Sequence, residues 1–276
     1  MSISVEDHYS STGIVDRILA AIPFVRGSDP PLMAAQLFPF DQFHGREILA
    51  TRDHAALLAP KPGDHVLDIG SGIGGPARYI ATTMRAQVTG IDLTPGFVDA
   101  ANELAGLCSL SEWVTFLTAD AANLPFEDAQ FDHAICFYVG MNLAFKPAVL
   151  AQCLRVLKPQ GRLVWTEVVL GAGDPVYPLP WATTPETSHL LSRDALLTMM
   201  QTAGFIVDDT RDETRDHIDL AQKMQQSGAQ ASPLQMQANA VVLGQDFVQR
   251  RKNYIQSLAC GAISSLCIQA HKPAKT

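Results

Sequence analysis

No basic run occurs anywhere in the 276 residues, and the formal net charge is −8. A protein that grips a nucleic-acid backbone needs a stripe of Lys and Arg, so nucleic acid is excluded as an expected partner. No window reaches the roughly 18 uninterrupted apolar residues of a membrane span. The opening "MSISVEDHYS" also lacks the basic-then-apolar order of an export leader. These absences predict a soluble cytoplasmic protein with no membrane partner. Cys108, Cys136, Cys153, Cys260 and Cys267 form no C-x-x-C pair, and three of them sit in apolar runs as small buried hydrophobes, so reduced thiols are expected. His, Asp and Glu show no metal-ligand spacing, no metal is expected, and His54, His133 and His189 read as structural. There is no internal repeat.

The hydrophobic share of 47% is enough for one elaborated domain with a sizeable core. Residues 12–25 and 45–59 carry apolar residues at helical spacing around the Pro-rich, aromatic "GSDPPLMAAQLFPFDQFH", and residues 1–60 read as a helical cap. Over 61–170, short apolar strands alternate with helices: "HVLDIG", helix 75–85, "QVTGID", helix 95–107, "VTFLTAD", "DHAICFY", helix 146–157 and "RLVWTEVVL". Near-continuous apolar strands in such alternation predict a doubly wound α/β fold, a parallel sheet covered by helices on both faces. In "LKPQG", Pro159 stops the helix and Gly161 is free to take positive φ in the turn that follows. Residues 171–276 read as a lid loop, a helix 192–203, the strand "FIVDD", a polar helical insertion near 213–256 and a last strand near "SSLCIQAH". The Gln-rich "AQKMQQSGAQASPLQMQ" within the insertion reads as a solvated helical hairpin or loop.

The informative stretch is "VLDIGSGIGG", residues 66–75. Gly70, Gly72 and Gly75 satisfy G-x-G-x-x-G, the turn that cradles a dinucleotide pyrophosphate. Asp68, two residues before the first glycine, contradicts that use, because a carboxylate there repels phosphate. A ligand that brings cations to this position removes the conflict, and S-adenosylmethionine does so with its ammonium and sulfonium while carrying no phosphate. The apolar strand ending in Asp-x-Gly-x-Gly-x-Gly (Asp68, Gly70, Ser71, Gly72, Gly74) resembles the first motif of the Rossmann-like, class I S-adenosylmethionine-dependent methyltransferases. Asp92 and Leu93 follow the second strand, where an acid takes ribose hydroxyls, and Asp120-Ala121 follow the third, where that family holds adenine. "FDHAICFYVGMNL", with Phe137, and "LRVLKPQGRLVWTEVV" match the family's fourth strand and the helix, turn and fifth strand after it. The resemblance covers residues 40–215 and implies a seven-stranded, mostly parallel sheet, S-adenosylmethionine as cofactor and methyl transfer to a small molecule.

"DQFHGR", "MNL" and "PLPWATTPETS" add a resemblance to the sarcosine/dimethylglycine N-methyltransferases and to the enzymes acting on ubiquinone and tocopherol precursors. An amine nitrogen is therefore the expected target, with O-, S- or C-methylation of a quinone-like ring as the alternative. Two readings from other classes stay open: an NAD(P)-dependent oxidoreductase, supported by G-x-G-x-x-G and Asp92, and a non-catalytic S-adenosylmethionine-binding protein on the same fold. His44 and Tyr138 are the catalytic candidates, His44 being the best base on offer and a structural hydrogen-bonder its alternative. Phe43, Asn142, Glu167, Tyr177 and Trp181 are the candidates for the acceptor, Tyr177 and Trp181 as an aromatic lid that excludes water. The oligomeric state is left open, a homodimer included.

Overall fold

The computed structural model describes residues 13–226, 242, 244 and 246–274. A cap of α1 (Ile14–Ala21), α2 (Phe38–Asp41) and α3 (Glu47–Leu58) comes first. It leads into β1 (His65–Ile69), α4 (Gly75–Met84), β2 (Gln87–Asp92), α5 (Pro95–Leu107), β3 (Val114–Thr118), β4 (Phe131–Phe137), α6 (Lys146–Val156) and β5 (Leu157–Leu170). The chain continues with α7 (Arg193–Thr202), β6 (Ile206–Asp212), α8 (Thr214–Gln226), α9 (Phe247–Ala259) and β7 (Ile263–His271). The Gln-rich segment ends α8 at Gln226, and its remainder lies outside the described residues. None of the described helices is long and apolar enough to cross a membrane.

The seven strands form one sheet in the order β3-β2-β1-β4-β5-β7-β6, parallel from β3 to β5 with β7 antiparallel to both of its neighbours. Strand alternation explains how both faces are buried. Val66 of β1 packs with Ile80, Val88, Phe116 and Ile135 on the side of α3 to α5, while Leu67 and Ile69 pack with Phe131, Leu150, Trp165 and Leu196 on the side of α6 and α7. The cap adds its own cluster, in which Ile14, Ile18, Leu37 and Phe40 meet Phe97 and Leu104 of α5. Pro residues inside the first turns of α4, α5 and α6 set these starts, since a helix has no use for the N–H that proline lacks there.

One local expectation is corrected. "LKPQG" belongs to β5 as an irregularity against β4, where the pairing jumps from Phe131↔Leu157 to His133↔Arg162. Gln160, not Gly161, takes the left-handed conformation there, at φ 65°. Gly161 is small for another reason: a Cβ on it would lie 2.8 Å from the Lys158 carbonyl and 2.9 Å from that of Asp132. The topology reverses between β1 and β4, and in sheets of this kind the crevice at such a reversal, beyond the strand C-termini, is where ligands bind.

Candidate active site

A cleft opens at that reversal. Its floor is made by the turns after β1, β2, β3 and β4, and its far side by the cap, the lid residues Pro180 and Trp181, and α9. The turn after β1 is held open by the backbone: the N–H groups of Gly70 and Ser71 both donate to the Ile91 carbonyl at 2.8 Å. Gly70 needs to be glycine, because its φ is 74° and a Cβ would stand 2.4 Å from the Val139 side chain.

Two carboxylates define the chemistry of this end. Asp92 accepts the Gly72 N–H and the Thr94 N–H, both at 2.9 Å, and so fixes the turn while keeping lone pairs for a ligand. Asp68 is 2% exposed, and its Oδ2 has no hydrogen-bond partner. Burial first, and then the Asp92 charge, push its pKa up to about 7. A phosphate would add a third negative centre here, whereas a cationic ligand gives the buried carboxylate its missing partner. The residues present therefore fit S-adenosylmethionine. Leu93, 47% exposed beside Asp92, offers an apolar face for a flat ring, and Asp120, Ala121 and Phe137 continue the wall.

The other end is largely apolar, with Phe43, Met141, Val168, Trp181, Phe247 and Tyr254 in its wall together with Asn142. Arg251 is the one Lys or Arg among the described lining residues, and it pairs with Glu47 at 2.9 Å. Trp181 is held by its indole N–H on Ser188 Oγ at 2.9 Å and by an edge contact with Tyr254, ring centroids 6.0 Å apart. His44 is buried in the wall, its ring stacked on Tyr138 at 5.4 Å. Its Nε2 lies 3.0 Å from Thr51 Oγ1, and its Nδ1 has no partner. Burial, reinforced by the nearby His54, His217 and Arg46 charges, lowers its pKa to about 3, so the ring is neutral at any physiological pH.

Tyr138 sits at φ 57°, an uncommon conformation for an aromatic residue, pinned by its N–H on the Thr166 carbonyl at 2.9 Å. Its ring lines the cleft, but its hydroxyl is tied to His217 Nε2 at 3.0 Å and to Ser265 Oγ at 2.9 Å. Burial pushes this phenol well above its ordinary pKa. The Tyr138 ring also stacks against His44.

Of the sequence-predicted residues, Gly70, Ser71, Gly72, Asp92, Leu93, Asp120, Ala121, Phe137, Phe43, His44, Tyr138, Asn142 and Trp181 line the cleft together. Asp68, which is buried, and Gly74 are not among the lining residues, and Gly74 has no room for a Cβ against Phe116 and Arg78. Tyr177 packs in the lid cluster without lining the cleft. Glu167 is the clear correction among the acceptor candidates. It is fully buried, it accepts from the Trp165 indole at 2.8 Å, and it pairs with Lys146 at 3.4 Å, burial raising its pKa to about 7. It does not line the cleft, because β5 alternates and Val168, the next residue, takes the cleft side. Phe247, Arg251 and Tyr254 went unpredicted, although their i, i+4, i+7 spacing marks one helix face. His54, Glu213 and Cys267 bring possible metal-ligand atoms within 4.8 Å of one another, a grouping invisible in linear spacing. The Arg46 guanidinium, 3.4 Å from Glu213, already supplies the positive charge that this carboxylate requires.

Comparison with known proteins agrees with this geometry. Residues 67–165 match the model of the methyltransferase domain family. The O-methyltransferase cnsE of Penicillium expansum is 36% identical over 164 residues, which are 59% of this chain and 59% of that protein. The chloroplastic tocopherol O-methyltransferase of Arabidopsis thaliana is 37% identical over 119 residues, 42% of this chain and 34% of that one. The chain thus spans less than two thirds of either relative. Among solved structures, the [4+2]-cyclase SpnF superposes with a TM-score of 0.68 at 25% identity, covering 99% of this chain and 98% of that one. Residues 67–165 are thus similar to the methyltransferase domain family, within a Rossmann-like fold whose cleft fits S-adenosylmethionine.

Proposed function

We propose that the protein transfers a methyl group from S-adenosylmethionine to a hydroxyl oxygen of a small, largely apolar acceptor. The observation that carries the reading is the neutral ring of His44, its Nδ1 without a partner, among the residues that line a largely apolar chamber. The hydroxyl is favoured over the amine nitrogen expected from the sequence for two reasons. The acceptor end holds Arg251 and no carboxylate beyond Asp41, which Arg78 already neutralises at 2.9 Å, so an ammonium finds no counter-charge there. A hydroxyl, unlike a free amine, needs a base as it attacks, and a bare imidazole nitrogen supplies one. The curated relatives named above are O-methyltransferases, which agrees.

When bound, the cofactor supplies a methyl carbon on a positively charged sulfur. Asp68 would pair with its ammonium, Asp92 would accept from its ribose hydroxyls, and the Asp120-Ala121 turn with Leu93 would flank its base. The chain's other residues place the acceptor. Trp181, Tyr254 and Phe247 exclude water, and His44 Nδ1 takes the hydroxyl proton. Held there, the cofactor would supply its methyl to the acceptor oxygen, the carbon–sulfur electron pair staying with sulfur. With its pKa lowered to about 3, His44 holds that proton only in passing and gives it up to water as the product leaves. Most of the rate enhancement comes from holding oxygen, carbon and sulfur in line.

A panel of hydroxylated and amine-bearing ring compounds, incubated with isotopically labelled cofactor, tests the reading by product mass. The expected products gain one methyl on oxygen, and His44→Ala lowers kcat by about 10²-fold or more with cofactor affinity intact. Methylation of amines alone would refute it. A second reading is a cyclisation catalyst, because the cyclase matches nearly the whole chain and an apolar chamber suits the folding of a polyene. Its product would be an isomer of unchanged mass.

A further inference from the structure

Behind His44 lies a continuous hydrogen-bonded chain that the sequence reading did not detect. Arg78, fully buried in α4, donates through Nη2 to Asp41 Oδ2 at 2.9 Å and through Nη1 to the Ile73 carbonyl at 2.8 Å. Gln42 Nε2 donates to Asp41 Oδ1 at 2.7 Å. Thr51 Oγ1 lies 2.5 Å from Gln42 Oε1, and His44 Nε2 lies 3.0 Å from Thr51 Oγ1. Asp41, Gln42 and Thr51 are at most 3% exposed, so no solvent completes or interrupts the chain.

Each link fixes the direction of the next. Arginine is always a donor, and Asp41 beside it accepts on both oxygens. The amide nitrogen of Gln42 must therefore face Asp41, which turns its carbonyl oxygen toward Thr51. That oxygen can only accept, so the single hydroxyl hydrogen of Thr51 is directed to Gln42. Thr51 Oγ1 is then left with lone pairs alone on the side of His44, and Nε2 must carry the hydrogen. We propose that Gln42 and Thr51 are positioning residues that lock His44 in the tautomer protonated at Nε2, leaving Nδ1 as the unprotonated nitrogen of a ring that lines the acceptor chamber.

Arg46, His54 and His217 face the imidazole as charged or titratable neighbours, and the Tyr138 ring covers one of its faces. None of them is hydrogen-bonded to either ring nitrogen of His44, so the choice of tautomer falls to Thr51 alone. The chain also begins at the cofactor turn, because the guanidinium that orients Asp41 holds the Ile73 carbonyl too. The lock thus ties the base to the floor on which the methyl donor would lie. In functional terms the proposal rests on the methyl-transfer reading, but its structural content does not.

The test is a histidine nitrogen spectrum of the full chain labelled at imidazole nitrogen, His44 being assigned by its loss in His44→Ala. The wild type is expected to show His44 with an unprotonated Nδ1 and a protonated Nε2, unchanged across neutral pH. Thr51→Ser, which keeps the oxygen, is expected to retain the pattern. Thr51→Val, which keeps the shape, is expected to give a mixed or exchanging tautomer and a kcat lowered about tenfold or more at unchanged cofactor affinity. A wild-type His44 protonated at Nδ1, or an unaltered spectrum in Thr51→Val, would overturn the lock. The wild-type and Thr51→Ser spectra decide the matter even where Thr51→Val does not fold. A locked spectrum together with full turnover by His44→Ala would leave the lock standing and remove the base role instead.

Discussion

Asp68 offers the most quantitative test, because its environment converts a binding constant into a pH dependence. Its carboxyl is 2% exposed and next to Asp92, and its pKa stands near about 7, so at neutral pH it is half protonated in the free protein. A bound ammonium pairs with the ionised form only. The sign follows: a raised carboxyl must lose its proton for the ligand to bind, so affinity grows as pH rises toward that pKa and levels off beyond it. The ionised fraction is about 3% at about pH 5.5 and about 50% at about pH 7, so affinity should rise about 16-fold, or ~1.6 kcal/mol, over that interval. Calorimetric titration with S-adenosylmethionine, repeated in buffers of different protonation enthalpy, measures both the slope and the proton released on binding. Asp68→Asn should bind weakly and show a flat profile. A flat profile in the wild type, or a slope that survives in Asp68→Asn, would mean that this carboxylate does not meet the cation.

Three further outcomes are expected. S-adenosylmethionine and S-adenosylhomocysteine at about 100 times their Kd should stabilise the fold by ~2.7 kcal/mol and raise Tm, while NAD and NADP leave it unchanged; a thermal shift induced by NAD alone would reverse the reading of the turn after β1. Trp181→Ala removes a side chain that is 5% exposed, so denaturant unfolding should show a loss of ~3 kcal/mol or more and acceptor KM should rise, whereas Trp181→Phe keeps most of the packing. Gly70→Ala puts a Cβ within 2.4 Å of Val139 at positive φ, and titration should find cofactor binding reduced at least tenfold even where circular dichroism shows a folded protein.

The cofactor half of this cleft was legible in the sequence because it is local. Asp68 and Gly70, Asp92 and Leu93, and Asp120 and Ala121 lie at or just beyond the C-terminal ends of β1, β2 and β3, and strand order alone brings them together. The acceptor half was less legible because it is assembled from distant turns and helices whose side-chain directions depend on tertiary packing. Glu167 illustrates the difference: its position after β4 and within β5 was readable, but which face of β5 it takes depends on register, and one residue separates the cleft from the core. Thr51 carries no motif, and Gln42 stands within "DQFHGR" without revealing a role, since a buried amide and hydroxyl look like any others until their partners are known. His217 is similar, being an ordinary helical histidine until Tyr138, Tyr254 and Ser265 are seen around it. Fold class could be inferred from periodicity, whereas the identity of the acceptor wall required the structure.

The placement of β7 carries a consequence for how the protein comes into being. This strand follows every other described element in the chain yet lies between β5 and β6, so β6 has no partner in the sheet until β7 arrives. Ser265, which anchors the Tyr138 hydroxyl, rides on it. During synthesis the four strands that carry the methyl-donor floor, β1 to β4, can pair with one another first, while the platform beneath His44 waits for β7. A nascent chain stalled before β7 should therefore acquire the donor site ahead of the acceptor site, binding the methyl source before it is equipped to deliver the methyl.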